Sequence, residues 1–312
     1  MTDTLKTPPL KTPPLKTMTY EVTDRVARIT FNRPDKGNAI IADTPVELAA
    51  CVERADLDPN VHVILVSGSG EGFCAGFDLG AYADGSSSAG SDRRGTVLDG
   101  RIQAANHLPD QPWDPMIDYQ MMSRFVRGFS SLMHCDKPTV VKIHGYCIAG
   151  GTDIALHADQ VITAADAKIG YPPMRVWGVP AAGLWAHRLG DQRAKRLLFT
   201  GDCITGAQAA EWGLAVEAPE PQDLDERTER LVARIAAMPV NQLIMAKLAC
   251  NTALLQQGVA TSRMVSTVFD GIARHTPEGH AFVADAREHG FREAVRHRDE
   301  PLGDHGRRAS GV

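Results

Sequence analysis

Gly145-Tyr146-Cys147-Ile148-Ala149-Gly150-Gly151-Thr152-Asp153 is the stretch that decides how this chain is read. The apolar run before it, Thr139-Val140-Val141-Lys142-Ile143, has the length and composition of a buried strand. After it, Asp153-Ile154-Ala155-Leu156-His157 reads as helix. Strand, Gly-Gly and helix in that order leave unpaired N–H groups at the positive end of a helix dipole. Such an end suits a carboxylate, a phosphate or a developing oxyanion. Gly-Gly before a helix also serves simply as a tight turn that lets backbone pass close by. A second stretch sharpens the first. Gly68-Ser69-Gly70-Glu71-Gly72-Phe73-Cys74-Ala75-Gly76-Phe77-Asp78-Leu79 follows another apolar strand pattern, at 61–66, and leads through small residues towards a helix. Two such turns can each offer one N–H to a single carbonyl oxygen, as enolate formation requires.

With these residues the chain resembles the enoyl-CoA hydratase/isomerase (crotonase) superfamily. Phe73-Cys74-Ala75-Gly76-Phe77-Asp78-Leu79 is similar to that family's F-x-A-G-x-D-[LI], and Gly145 to Gly151 to its G-x-x-x-G-G-G turn. Asn32-Arg33-Pro34 with Asn38-Ala39 is similar to its N-R-P…N-A-L start, and Ala207 to Leu214 to its A-x-x-A-x-x-x-G-L. The resemblance implies an α/β fold: a crotonase-like ββα spiral core with a C-terminal helical region, assembled as a trimer or a hexamer of two trimers. The expected organisation is a disordered tail (1–18), the spiral core (19–220), a helical trimerisation region (221–303) and a frayed end (304–312). Residues 5–17 read LKTPPLKTPPLKT, whose prolines forbid a regular helix. Met18 would serve equally well as a start.

Composition excludes several classes. The chain has 312 residues, 43% of them hydrophobic and 23% charged, with a net charge of −5. That balance is ordinary for a globular protein and carries no basic excess for nucleic acid. No apolar run reaches the length of a membrane span. The six cysteines show no metal-ligand spacing and no C-x-x-C, so no metal is expected and a reducing cytoplasm fits them.

Along the chain, residues 20–23 and 26–31 predict a hairpin about Asp24-Arg25. Thr44-Pro45-Val46-Glu47 has the form of a capping box opening a helix. Residues 83–100 are rich in Ser, Gly and Asp and read as a loop; 108–122, with Trp113, Met121 and Met122, continue it as a mobile segment that either caps an acyl pocket or packs on its own domain. Short strand character at 160–163 precedes helices at 181–189, 191–200 and 205–212, the last with a second capping-box form, Thr205 to Gln208. From Asp223 the pattern is helical, broken at Pro239, Gly258, Pro277 and Gly290.

Carried over residue by residue, the resemblance implies that Phe77 and Gly150 supply the two oxyanion N–H groups. It places Lys36, Ala75 and Asp78 at the nucleotide end of CoA, with Asp78 also fixing local backbone. Tyr171, Pro173 and Trp113 are expected about the acyl group. Hydration needs one group to activate water and one to deliver a proton. The family's hydratases use two glutamates. Here Asp153 stands at the first position and Pro173 at the second. Pro173 transfers no proton, and Asp153 is one methylene shorter than Glu. A first-turn carboxylate is also favoured by the helix dipole alone. Asp110, Asp114 and Asp118 are candidates for the missing carboxylate. The expected activity is hydration of a 2-enoyl-CoA with no cofactor beyond CoA itself. The alternatives are an isomerase or hydrolase using Asp153, and a catalytically weak acyl-CoA-binding protein.

Overall fold

The computed structural model describes residues 14–79 and 94–304; most of the expected loop at 83–100 lies outside them. A five-stranded sheet has the order β1 (Met18–Thr23), β2 (Val26–Phe31), β3 (Val63–Gly68), β4 (Thr139–Ile143), β6 (Gln160–Thr163). Within this sheet only the β1–β2 pair is antiparallel. Its turn puts Asp24 and Arg25 at φ 51° and 66°, the double left-handed geometry that matches strand twist in a two-residue hairpin. The central strand β3, Val-Ile-Leu-Val-Ser-Gly, is buried along nearly its whole length, as a parallel strand covered on both faces must be. A smaller sheet joins β5 (Tyr146–Ile148), β7 (Lys168–Gly170) and β8 (Cys203–Thr205).

Helix α1 (Thr44–Leu57) opens with proline in its first turn but without the expected capping box. Glu47 is drawn off instead by the backbone N–H groups of Lys16 and Thr17, at 2.9 and 2.8 Å, and by the Thr17 hydroxyl at 2.7 Å. Those contacts also pin part of the segment expected to be a free tail. After α2 (Gly100–Asn106), the segment expected to be mobile at 108–122 is instead helical from Pro115 onward, as the start of α3 (Pro115–Phe129). Asp114 caps Met116 N–H at 2.9 Å with Pro115 in the first turn, and Met121, Met122, Phe125, Val126 and Phe129 form its buried stripe. A one-turn helix, α4 (Ser131–His134), leads into β4.

The Gly-Gly turn opens α5 (Gly150–Ala155). Helices α6 (Trp185–Leu189), α7 (Asp191–Thr200) and α8 (Gly206–Glu211) follow, and Thr205 with Gln208 forms the expected capping box. The C-terminal region contains α9 (Leu224–Ala236), α10 (Val240–Gln256), α11 (Val259–Arg274), α12 (Pro277–His289) and α13 (Phe291–Asp299). Helix α11 packs along α3, and Gly271 permits the approach, since a Cβ there would lie 3.0 Å from that of Asp118.

Candidate active site

The two glycine turns meet. Phe73 and Cys74 donate backbone hydrogen bonds to the Tyr146 carbonyl at 2.9 and 3.2 Å, and Ile148 donates back to Cys74 at 2.9 Å. On its other side the Cys74–Asp78 segment is tied to Gly37 and Ile40, with Asp78 N–H on the Ile40 carbonyl at 2.9 Å. Successive amides alternate sides along extended backbone, so the Phe77 N–H faces away from Ile40. Among the described residues neither it nor the Gly150 N–H has a hydrogen-bond acceptor. A Cβ on Gly76 would stand 3.6 Å from the Gly150 nitrogen, and one on Gly150 would stand 2.6 Å from the Phe77 ring. Gly150 is therefore required by proximity, and Gly76 by its φ of 98° and by the Ala149 Cβ, 3.0 Å from where its own would stand. Ala149, just before the helix, holds φ 51°, ψ −122°, a conformation that costs of order 1–3 kcal/mol and immediately precedes the Gly150 amide.

These turns form one wall of a cavity of about 500 Å³. Phe77, Ile148 and Ala149 line its floor; Met121, Met122, Tyr171, Pro173 and Trp177 its sides; Phe282 and Phe291, from α12 and α13, its cover. Trp177 packs on Phe282 and Phe282 on Phe291, with ring centroids 5.7 and 5.6 Å apart. The cover is held by a buried ion cluster. Arg175 reaches Asp299 at 3.0 Å, Asp304 at 3.1 Å and Asp202 at 3.2 Å; Lys168 reaches Asp304 at 3.0 Å; Arg298 reaches Asp299 at 2.6 Å. Asp304, expected at the frayed end, is wholly buried.

The other expected residues divide. Ala75 lines the cavity beside Gly37, while Lys36 is exposed on the neighbouring 3₁₀ turn. Asp78 pairs with Arg33 at 2.8 Å. Trp113 stands outside the cavity lining: it stacks on His275 at 4.4 Å and donates its indole N–H to Asp118 at 2.7 Å. Asp153 is buried on α5 and its Oδ1 accepts from the Ala182 N–H at 3.1 Å, while Oδ2 has no hydrogen-bond partner among the described residues. Burial pushes its carboxyl well above the usual range, and the charge of Asp270 adds to this against the Ala182 and Ala181 amides. Asp153 is absent from the cavity lining.

The carboxylates that do line it are Asp118 on α3 and Asp270 on α11, together with Glu71, Asp299 and Asp304. Arg274 lies between the first two, 3.4 Å from Asp118 and 3.2 Å from Asp270. Asp118 also accepts from His275 at 3.0 Å and from Asn106 at 3.2 Å. Burial raises the Asp118 carboxyl, but His275, Arg274 and Trp113 outweigh it and hold the group below its ordinary value. Asp270 is pushed up to about 6 by burial, with Asp118 adding to the rise and Arg274 and the Val179 amide opposing it. Of the three loop aspartates considered from sequence, Asp118 reaches the cavity, Asp114 is a cap and Asp110 is exposed. Asp270 was not among the candidates. Its only local signal is the i, i+4 pair with Arg274, which any solvated helix also shows.

The family model for enoyl-CoA hydratase/isomerase matches residues 21–106 and 115–293. The chain is 30% identical over 202 residues to "Probable enoyl-CoA hydratase EchA14" of Mycobacterium tuberculosis, covering 62% of this chain and 66% of that protein. It is 25% identical over 287 residues to (E)-benzylidenesuccinyl-CoA hydratase of Thauera aromatica, covering 89% and 99%. Among solved structures, an enoyl-CoA hydratase from Mycobacterium smegmatis is 86% identical and superposes with a TM-score of 0.91 over 96% of this chain and 98% of that one. Motifs, fold and relatives agree: the chain belongs to the enoyl-CoA hydratase/isomerase family.

Proposed function

We propose that the protein hydrates 2-enoyl-CoA thioesters, with the thioester carbonyl received by the Phe77 and Gly150 N–H groups. The observation that carries this reading is the pair of unbonded amides on two adjoining glycine turns, whose residues Phe77, Ile148 and Ala149 line one largely apolar cavity. Donors fixed where negative charge develops on the thioester oxygen favour the enolate over the ground state, and do so most in a site that excludes water. Ala75, which lines the cavity, and Lys36, exposed on the neighbouring turn, are read as the residues nearest the CoA nucleotide. Asp153 stands outside the cavity lining, and burial holds its carboxyl well above the usual range, so it is not the group in contact with the acyl chain. Double-bond isomerisation is the second reading. It is favoured by Pro173, which removes one of the two carboxylates that hydration uses in the family.

The assembly is read as a homotrimer or a hexamer. Support comes from α10 and α11, which expose Met245, Leu248, Met264, Val268 and Phe269; sedimentation at several concentrations tests it. The activity is tested by the loss of conjugated thioester absorbance with short-, medium- and aryl-substituted 2-enoyl-CoAs. Turnover is expected with at least one acyl class. Gly150→Ala, which forces a Cβ into the Phe77 ring, should lower kcat at least about 100-fold, the scale of one lost oxyanion donor. Full turnover by that variant would remove the two amides from the mechanism.

A further inference from the structure

We infer that Asp270, carried by the C-terminal helix α11, is the acid/base that replaces the carboxylate missing at Pro173. This rests on the hydration reading above and goes beyond it by moving the proton transfer onto a helix outside the spiral core. The geometry is local. A Cβ on Gly178 would lie 3.1 Å from Pro173 Cβ and 3.9 Å from Asp270 Oδ1. Pro173 and Asp270 therefore adjoin the same glycine, and both line the cavity.

One short segment carries both carboxylates. Asp153 hangs on the Ala182 N–H, and the Val179 N–H supports Asp270. Thr267, one turn before Asp270 on α11, donates to the Ala181 carbonyl at 3.1 Å and fixes the helix to that segment. The charged and titratable groups around Asp270 are Arg274 on its own helix, Asp118 on α3, Asp153 on α5 and Tyr171 beyond β7; His275 and His107 stand behind Asp118. Asp118 is occupied by Asn106, Trp113, His275 and Arg274. It is a positioning residue, holding Arg274 and through it the Asp270 carboxylate.

The step balances with water as the only co-reactant. Ionised Asp270 takes a proton from water as the oxygen bonds C3 of the enoyl group. The C2=C3 π electrons move into the C1–C2 bond, and the thioester carbonyl becomes an enolate at Phe77 and Gly150. The enolate then collapses and C2 takes the proton back from Asp270. Net addition of water leaves the carboxylate as it began. A group poised near neutrality suits such a cycle.

The test compares wild type, Asp270→Asn, Asp270→Glu and Asp118→Asn by enoyl-CoA hydration, and by exchange of the C2 proton of a saturated acyl-CoA in D₂O. Asp270→Asn is close to isosteric, so thermal melting and binding of the saturated acyl-CoA should persist and exclude a folding defect. Its kcat should fall by a factor of about 100 or more, with KM changed far less. Asp270→Glu should recover part of the rate. In wild type the acid limb of kcat/KM should lie near pH 6. Asp118→Asn should move it to lower pH, because Asp118 raises the Asp270 carboxyl; a merely structural Asp118 would lower the rate without moving the limb. Hydration and exchange that survive in Asp270→Asn at a third of the wild-type rate or better would overturn the proposal while leaving the hydration reading intact. Exchange without hydration in wild type would sink that reading alone, and loss of the exchange in Asp270→Asn would still support the proton transfer. A wild type that shows neither reaction would overturn both.

Discussion

Two buried ionic clusters border the cavity, and they differ in charge balance. Beneath the cover, Arg175, Lys168 and Arg298 face Asp202, Asp299 and Asp304, three cations against three carboxylates. Along α3 and α11, Arg274 is the one cation among the described residues that pairs with both Asp118 and Asp270, with Asp153 nearby. Burial raises Asp299, but Arg298 and Arg175 outweigh it and keep that group ionised. Burial raises Asp270 too, and its single cation cannot cancel it. Among these buried groups, a carboxylate with matched cations stays below its ordinary value as part of a structural latch, and the more deeply buried one with fewer cations is raised. Buried carboxylates with excess acid are where proton chemistry is affordable.

Breaking the matched cluster should have the largest effect on stability. Arg175→Met leaves three carboxylates short of a partner and should cost about 3–5 kcal/mol, seen as a lower midpoint in denaturant titration and as faster proteolysis at α13. Removing Asp270 should do the opposite at alkaline pH. Its carboxyl is raised from the ordinary value to about 6, so the folded state binds the proton more tightly than the unfolded chain. The stability it contributes is full below about pH 4 and is lost as pH rises through about 6. Asp270→Asn should therefore exceed wild type at pH 8 by up to about 3 kcal/mol and match it by about pH 4. A wild type more stable than Asp270→Asn at pH 8 would contradict the contrast. Asp118→Asn, which spoils several buried hydrogen bonds, should cost about 1–3 kcal/mol in the same titration. The smallest change sharpens the comparison from outside: Asp191 and Lys195 pair at 2.8 Å on the surface of α7, and Asp191→Asn should alter stability by no more than about 0.5 kcal/mol.

What could be read from sequence was local. The hairpin at Asp24-Arg25, helix α7 at Asp191–Thr200 and the Thr205–Gln208 capping box depend on near neighbours, and the structure agrees. The same four-residue signal at Thr44–Glu47 failed because distant backbone at Lys16 and Thr17 competes for the Glu47 carboxylate. Helix α3 was hidden by the prolines around Trp113, although Asp114-Pro115 is itself a helix-start signal. The meeting of the glycine turns was legible because each turn carries its own pattern. Asp270 was not, since nothing near Asp270 in the chain records that α11 returns to Pro173.

The Asp304 carboxylate, wholly buried between Lys168 and Arg175, bears on how the protein is made. Domains assemble from the N-terminus as the ribosome delivers them, so the strands and both glycine turns are synthesised long before their cover. An acyl chain that met the nascent protein then would find a groove open to solvent. The cover over that groove is latched only once residue 304 has cleared the exit tunnel and its charge is sealed between two cations. Occupancy of the site is thereby a property of the finished fold, and ribosome-bound chains stalled before α12 should not retain acyl-CoA.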